Sequence, residues 1–129
     1  MRILLDTNVI ISALLFGGKP RTMLQSVIKK QHVAVTSPVL LSELSDVLRK
    51  KFGFTKEKIA AVDQQLRKQC QVVFPTETID VLSDMPDNRV LEAAVEGECE
   101  MIVTGDTDLL VLKKYRAIRI LTPDEFLKK

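Results

Sequence analysis

Acidic residues stand in this sequence where apolar runs end and where helices begin. Asp6 closes the apolar run Ile3-Leu4-Leu5, and Asp106 follows Met101-Ile102-Val103-Thr104-Gly105. Asp87 opens a predicted helix, and Glu43 lies inside the apolar arc of another. In an open parallel sheet the ligand crevice forms outside the carboxyl ends of the strands, so acids at those positions would converge. Converging carboxylates collect hard divalent cations, which prefer oxygen ligands. Two such ions roughly 4 Å apart can activate a water and offset the charge of an in-line phosphoryl transition state. The chemistry to which the pattern points is metal-assisted phosphodiester cleavage. Without metal the acids repel one another, which predicts raised pKa values.

Each acid also has a plainer explanation. Asp6 and Asp106 stand where a helix N-cap is expected, and Asp106-Thr107-Asp108 can cap and charge the start of a helix. Asp87 is three residues after Asp84, the place of an acidic partner in a cap. Glu43 is harder to dismiss. At about 100° per residue, Leu40, Leu44, Val47, Leu48 and Lys51 share one side of its helix, with Glu43 between Val39 and Val47. A carboxylate at a core edge is costly without a partner; Lys50, on a similar bearing, is the ordinary candidate. Taken together, two strand-end acids, one helix-start acid and one inward acid make a stronger case than any of them alone.

The elements that must position these residues follow from periodicity. Arg2 to Leu5, Val33 to Thr36, Val72 to Phe74, Met101 to Thr104 and Ile118 to Leu121 read as strands. Helices are predicted from after Asp6 to about Leu15, where Gly17-Gly18 ends the pattern, and from Pro20 to about Lys30. Ser37-Pro38 offers an N-cap and a first-turn proline for a helix to about Lys51. Thr55 caps another reaching about Gln69, with Lys58 where a capping box would need an acid or amide. Asp84-Met85-Pro86-Asp87 opens a helix that ends at Gly97, a short helix follows Asp106, and Thr122-Pro123 starts a last turn. Strands alternating with helices predict a parallel sheet covered on its faces.

At 129 residues, close to half of them apolar, the chain suits a single domain over 1–129 that buries roughly two-thirds of its unfolded surface. Lysine and arginine exceed aspartate and glutamate by 19 to 17, too little to imply nucleic-acid binding by itself. Basic residues gather at Arg49-Lys50-Lys51, Lys56, Lys58, Arg67 and Lys68, and again at Lys113, Lys114, Arg116 and Arg119. Solvated helix faces and a phosphate-contacting rim explain them equally well. Cys70 and Cys99 are too few for a secretory disulfide framework, and buried reduced thiols in a cytosolic protein are expected. The first apolar stretch, broken by Asp6 and Asn8, cannot span a bilayer. His32 reads as a loop residue, not a general base, and Gly17-Gly18-Lys19 lacks the full phosphate-loop pattern. Phe52 and Phe54 are expected at an exposed mid-chain bend, where they could serve a dimer or partner surface.

Four blocks carry a resemblance: Leu4-Leu5-Asp6-Thr7-Asn8-Val9, Ser42-Glu43-Leu44, Asp84 through Ala93, and Ile102-Val103-Thr104-Gly105-Asp106-Thr107-Asp108-Leu109-Leu110. In order and spacing they resemble the PIN-domain family, in particular the VapC-like toxin components of bacterial and archaeal toxin–antitoxin pairs. The resemblance implies a three-layer α/β/α sandwich with a mostly parallel central sheet. It also implies a cytoplasmic endoribonuclease dependent on Mg²⁺ or Mn²⁺ that leaves a 5′-phosphate and a 3′-hydroxyl. It maps an acidic quartet onto Asp6, Glu43, Asp87 and Asp106, with Asp108 as a fifth member and metal held by Asp6, Asp87, Asp106 and Asp108. Asn8 and Thr104 match polar positions that would orient these acids; ordinary strand-end hydrogen bonding is their alternative role. RNA as substrate, a homodimer and a cognate antitoxin are the partners implied. One departure is that Met85-Pro86 stands where related sequences carry further acids, which leaves Asp84 to capping. A PIN-like RNA-binding or scaffold module without turnover is the rival, and the intact quartet argues against it, because a binder gains nothing from anionic repulsion towards phosphates. A phosphoacceptor signalling domain would want a lysine after the last strand, where Thr122-Pro123 stands.

Overall fold

Alternating apolar residues in the strands decide how the layers form. In the computed structural model, which describes residues 1–29 and 32–128, the chain runs β1 (Arg2–Leu5), α1 (Thr7–Leu15), α2 (Gly18–Lys29), β2 (Val33–Thr36), α3 (Pro38–Phe52), α4 (Lys56–Gln69) and β3 (Cys70–Val72). It continues through α5 (Met85–Glu96), β4 (Met101–Val103), α6 (Thr107–Leu110), β5 (Lys114–Tyr115), β6 (Ile118–Leu121) and α7 (Pro123–Leu127). The six-stranded sheet has the order β3-β2-β1-β4-β6-β5, parallel except for β5. Ile3, Leu5, Met101 and Val103 point to one face, where Val9, Ile10, Met23, Val27, Leu44 and Leu48 from α1, α2 and α3 cover them. Leu4 and Ile102 point to the other, against Val90, Leu91 and Ala94 of α5 and Leu109 of α6. The result is the expected three-layer α/β/α sandwich with a mostly parallel sheet. Strand order reverses between β1 and β4, so the crevice that parallel sheets open at such a switch lies beyond Leu5 and Val103.

Several boundaries follow expectation for the expected reason. The Ser37 hydroxyl accepts from the Leu40 N–H at 3.3 Å with Pro38 behind it, and the Thr55 hydroxyl accepts from Lys58 N–H at 3.2 Å. Gly53, at φ +65°, ends α3 in the left-handed conformation that glycine adopts without steric cost. The last turn carries a full capping box between Thr122 and Glu125. Phe52 is exposed and meets Phe16 edge-on at 6.2 Å, whereas Phe54 is half-buried against the core.

Other boundaries differ. α2 starts at Gly18, two residues before Pro20; the proline still sits in the first turn, where its missing N–H costs no helical bond. The expected end of this helix at Lys30 lies outside the described residues. β3 comprises Cys70–Val72 and not Val72 to Phe74. Its ladder is set by β2, which pairs Ala34 with Cys70 and Thr36 with Val72. Val73 still donates to the Thr36 carbonyl at 2.9 Å, but Phe74 is left exposed. The two-residue β5 was not expected; Arg116, at φ +55°, turns the chain back into β6.

Cys70 and Cys99 are free and buried, and burial pushes their thiols up to about 11 and about 12. No helix among the described residues is long and apolar enough to cross a membrane. Gly97 ends α5 where the backbone passes close to β2: a Cβ there would lie 2.7 Å from Val35 Cγ1. Its φ of −78° suits any residue, so the requirement is steric. Gly97→Ala is expected to destabilise the fold by about 1–3 kcal/mol through overpacking, read as a lower urea midpoint. An unchanged midpoint would show that Val35 yields without cost.

Candidate metal centre

The switch between β1 and β4 places two strand ends side by side. Leu5 pairs with Val103, and the Asp6 N–H donates to the Val103 carbonyl at 3.0 Å. Asp6 occupies the N-cap position of α1, yet its side chain makes no capping bond. Its Oδ2 accepts instead from the Thr104 hydroxyl at 2.7 Å. The same hydroxyl accepts from the Asp106 N–H at 3.0 Å. The fully buried Thr104 therefore ties the ends of β1 and β4 together through the two acids that follow them. Asp106 does cap α6, accepting from the Asp108 N–H at 2.8 Å through Oδ1.

Helix α5 adds the remaining acids from the other side. One oxygen each from Asp84, Asp87 and Asp108 lie within 4.8 Å of one another. Asp84 is the N-cap residue of α5 but makes no side-chain capping bond, so its carboxylate is free to join this group. Capping had been its expected role; the structure places it among the acids. Asp87 is buried, and as a carboxylate its Oδ2 has no hydrogen-bond partner among the described residues. Burial, then the negative Asp106, pushes its carboxyl up to about 7; in the protonated form it donates to Asp106, and Asp84 and Asp6 add to the shift.

Glu43 enters from α3, half-buried. Its pKa is raised, first by burial and next by Asp6, while a hydrogen bond from the Thr7 hydroxyl acts in the opposite sense. Its electrostatic neighbours are Asp6 and Asp84 rather than Lys50. Asp6 is raised too, chiefly by burial, and the Thr104 hydrogen bond offsets part of that. The structure thus brings together Asp6, Glu43, Asp87, Asp106 and Asp108, adds Asp84, and sets Thr104 behind them. Asn8 is exposed, with no hydrogen bond to these acids among the described residues. Thr7, one position earlier and buried, faces Glu43 instead. About 100° of helical rotation separates neighbours, enough to turn one inward and the next to solvent.

The donor set is all carboxylate oxygen, which suits a hard divalent ion such as Mg²⁺ or Mn²⁺ and not a soft one. An oxygen buried without a partner is costly, and a cation at Asp87 Oδ2 would remove that cost together with the mutual repulsion. From Glu43 an open groove of about 620 Å³ runs along α3 to Lys50 and Lys51. Arg89 is not available in the same way: its Nε pairs with Glu92 at 2.9 Å and its Nη2 donates to the Ile79 carbonyl at 3.3 Å.

The PIN domain family profile matches residues 2–108, which span every acid of this group. Among solved structures the fold is similar to VapBC-1 from nontypeable Haemophilus influenzae, with a TM-score of 0.67 and 15% identity over 96% of this chain and 99% of that one. It is similar also to VapBC2 from Rickettsia felis bound to a DNA fragment from their promoter, with a TM-score of 0.66 and 14% identity over 93% and 97%. At such identities the likeness is one of fold. A comparison with curated protein sequences found no match. With the profile covering most of the chain and the sandwich matching along its length, the chain belongs to the PIN-domain family, a family of nucleases.

Proposed function

We propose that the chain, as one nuclease unit over 1–129, is a Mg²⁺- or Mn²⁺-dependent endoribonuclease and the toxin of a toxin–antitoxin pair. The observation that carries this reading is the buried, unpartnered Oδ2 of Asp87 among carboxylates from the ends of β1 and β4 and the starts of α5 and α6. Asp84, Asp87 and Asp108 would hold the cation with Asp6 and Asp106. When bound, the ion supplies Lewis-acid activation of water and neutralises charge developing on the phosphate.

The protein's part is positioning and proton control. With a cation bound, Asp87 would be held in its ionised form, because a positive charge reverses the effect of its neighbours. Thr104 fixes Asp6 and the Asp108 N–H fixes Asp106. Glu43, held by Thr7 at the mouth of the group, orients the attacking water and accepts its proton. Lys50 and Lys51, along the groove from Glu43, contact backbone phosphates without reading sequence. Water attack leaves a 5′-phosphate and a 3′-hydroxyl. Similarity to structures described as VapBC supports an antitoxin as partner; a homodimer and a cytoplasmic setting belong to the reading through the resemblance alone.

The test is cleavage of structured and unstructured RNA with Mg²⁺, Mn²⁺ or chelator by the native chain and by Asp106→Asn. Cutting with metal, none with chelator and at least about a hundredfold loss in the variant are expected. Binding without any cut in all conditions would favour the non-catalytic module, and equal cutting by Asp106→Asn would remove that acid from the mechanism.

A further inference from the structure

Between β3 and α5 the chain lacks regular structure, yet it is tied down along its length by side chains of α5. Thr76 donates from N–H and hydroxyl to Glu96 Oε1 at 3.0 and 3.1 Å. The Ile79 N–H donates to Glu92 Oε2 at 2.9 Å, and its carbonyl accepts from Arg89. Val81 and Leu82 both donate to Asn88 Oδ1, at 3.2 and 2.9 Å. Asn88 Nδ2 returns a bond to the Leu82 carbonyl at 2.8 Å. Asn88 is fully buried. An amide is the one side chain of this size that both accepts from and donates to the same backbone residue.

The last tie lies two residues before Asp84, and Asn88 directly follows Asp87. Asp84 makes no side-chain capping bond, so the start of its own helix does not fix how its carboxylate approaches Asp87 and Asp108. We propose, on the metal-binding reading above, that Asn88 is a positioning residue: by clamping Leu82 it sets where Asp84 meets Asp87 and Asp108 around the cation. One turn of α5 then supplies a ligand at Asp87 and, through Asn88, places a second.

The experiment measures Mn²⁺ binding to the full chain by calorimetry for Asn88→Ala and Asn88→Asp, each in the native and the Asp84→Asn background, with hydrogen exchange of the metal-free proteins over residues 79–84. Asn88→Ala should speed exchange at Val81 and Leu82 and weaken Mn²⁺ binding about tenfold. It should have little further effect once Asp84 is already neutral, since a residue acting through another shows non-additivity. Asn88→Asp keeps the volume and both accepted bonds but loses the donor to Leu82. Its added charge enters both backgrounds alike, so a smaller loss that still depends on Asp84 is expected, and this variant supplies the comparison if Asn88→Ala does not fold. Unchanged Mn²⁺ affinity despite faster exchange, or equal weakening in both backgrounds, would overturn the inference. A native chain that takes up no Mn²⁺, while Asn88→Ala still frees these amides, would instead sink the metal reading and the positioning role with it.

Discussion

Asp87→Asn should strongly reduce RNA cleavage and, without metal, make the protein harder to unfold. Both effects come from the same atoms. The native carboxyl is buried with Oδ2 unpartnered and faces Asp106, Asp84 and Asp6. Folding the ionised acid into that place is unfavourable, which is why it is pushed up to about 7. The neutral amide avoids the charge, and its nitrogen can donate to Asp106 as the protonated acid does. A gain of about 1–3 kcal/mol at about pH 8 is expected from the usual free-energy value of a pKa shift, discounted for partial solvation. Removing a ligand from the cation should cost at least as much activity as removing a residue behind one, so a loss of about a hundredfold or more is expected. Chemical denaturation with chelator and RNA cleavage with Mn²⁺ measure the two. A variant that is less stable than the native metal-free chain would show that Asp87 is a structural acid, satisfied in the fold in some other way.

How far this site could be read from residues alone depends on what fixed each of them. Asp6 and Asp106 were legible because a parallel ladder aligns strand ends, and apolar runs mark those ends well. Glu43 was legible because an acid in an apolar arc must face something. Asp84 was not. Whether an N-cap acid turns back to its own helix or away from it depends here on how residues 76–82 cross α5, and that crossing rests on Asn88, Glu92 and Glu96, spread over two helical turns. Asn8 enters through the family resemblance, which says nothing of the phase of α1; in the structure it is the buried Thr7, one position earlier, that faces Glu43. The third strand shows the same limit in the sheet: Val72-Val73-Phe74 has the stronger strand propensity, but α4 delivers the chain at Cys70 and four residues of β2 decide what can pair. Arg89 is drawn inward by Glu92, a buried acid one turn along α5, a pairing that no periodicity in the sequence marks.

The metal-free protein should lose stability as pH rises from about 4 to about 7, and Mg²⁺ should restore it. In the unfolded chain Asp87 titrates near its ordinary value of 3.8. Below that pH both states hold the proton, and the acid does not oppose folding. Between 3.8 and about 7 the unfolded state releases a proton that the folded state retains, so each step up in pH favours unfolding. Above about 7 the folded carboxyl ionises too, and the penalty is complete. Asp6 and Glu43 are raised as well and act in the same direction. Mg²⁺ reverses this because it binds the ionised group and displaces protons to do so; its stabilisation is therefore small at about pH 5 and large at about pH 8. The pH-dependent part amounts to roughly 2–3 kcal/mol, or roughly 6–10 °C in Tm for a domain of this size. Thermal unfolding at several pH values with chelator and with saturating Mg²⁺ tests it, and the two curves should converge towards acid. A metal-free Tm that climbs towards neutrality, or a Mg²⁺ gain that does not depend on pH, would mean that these carboxyls do not share one crowded pocket.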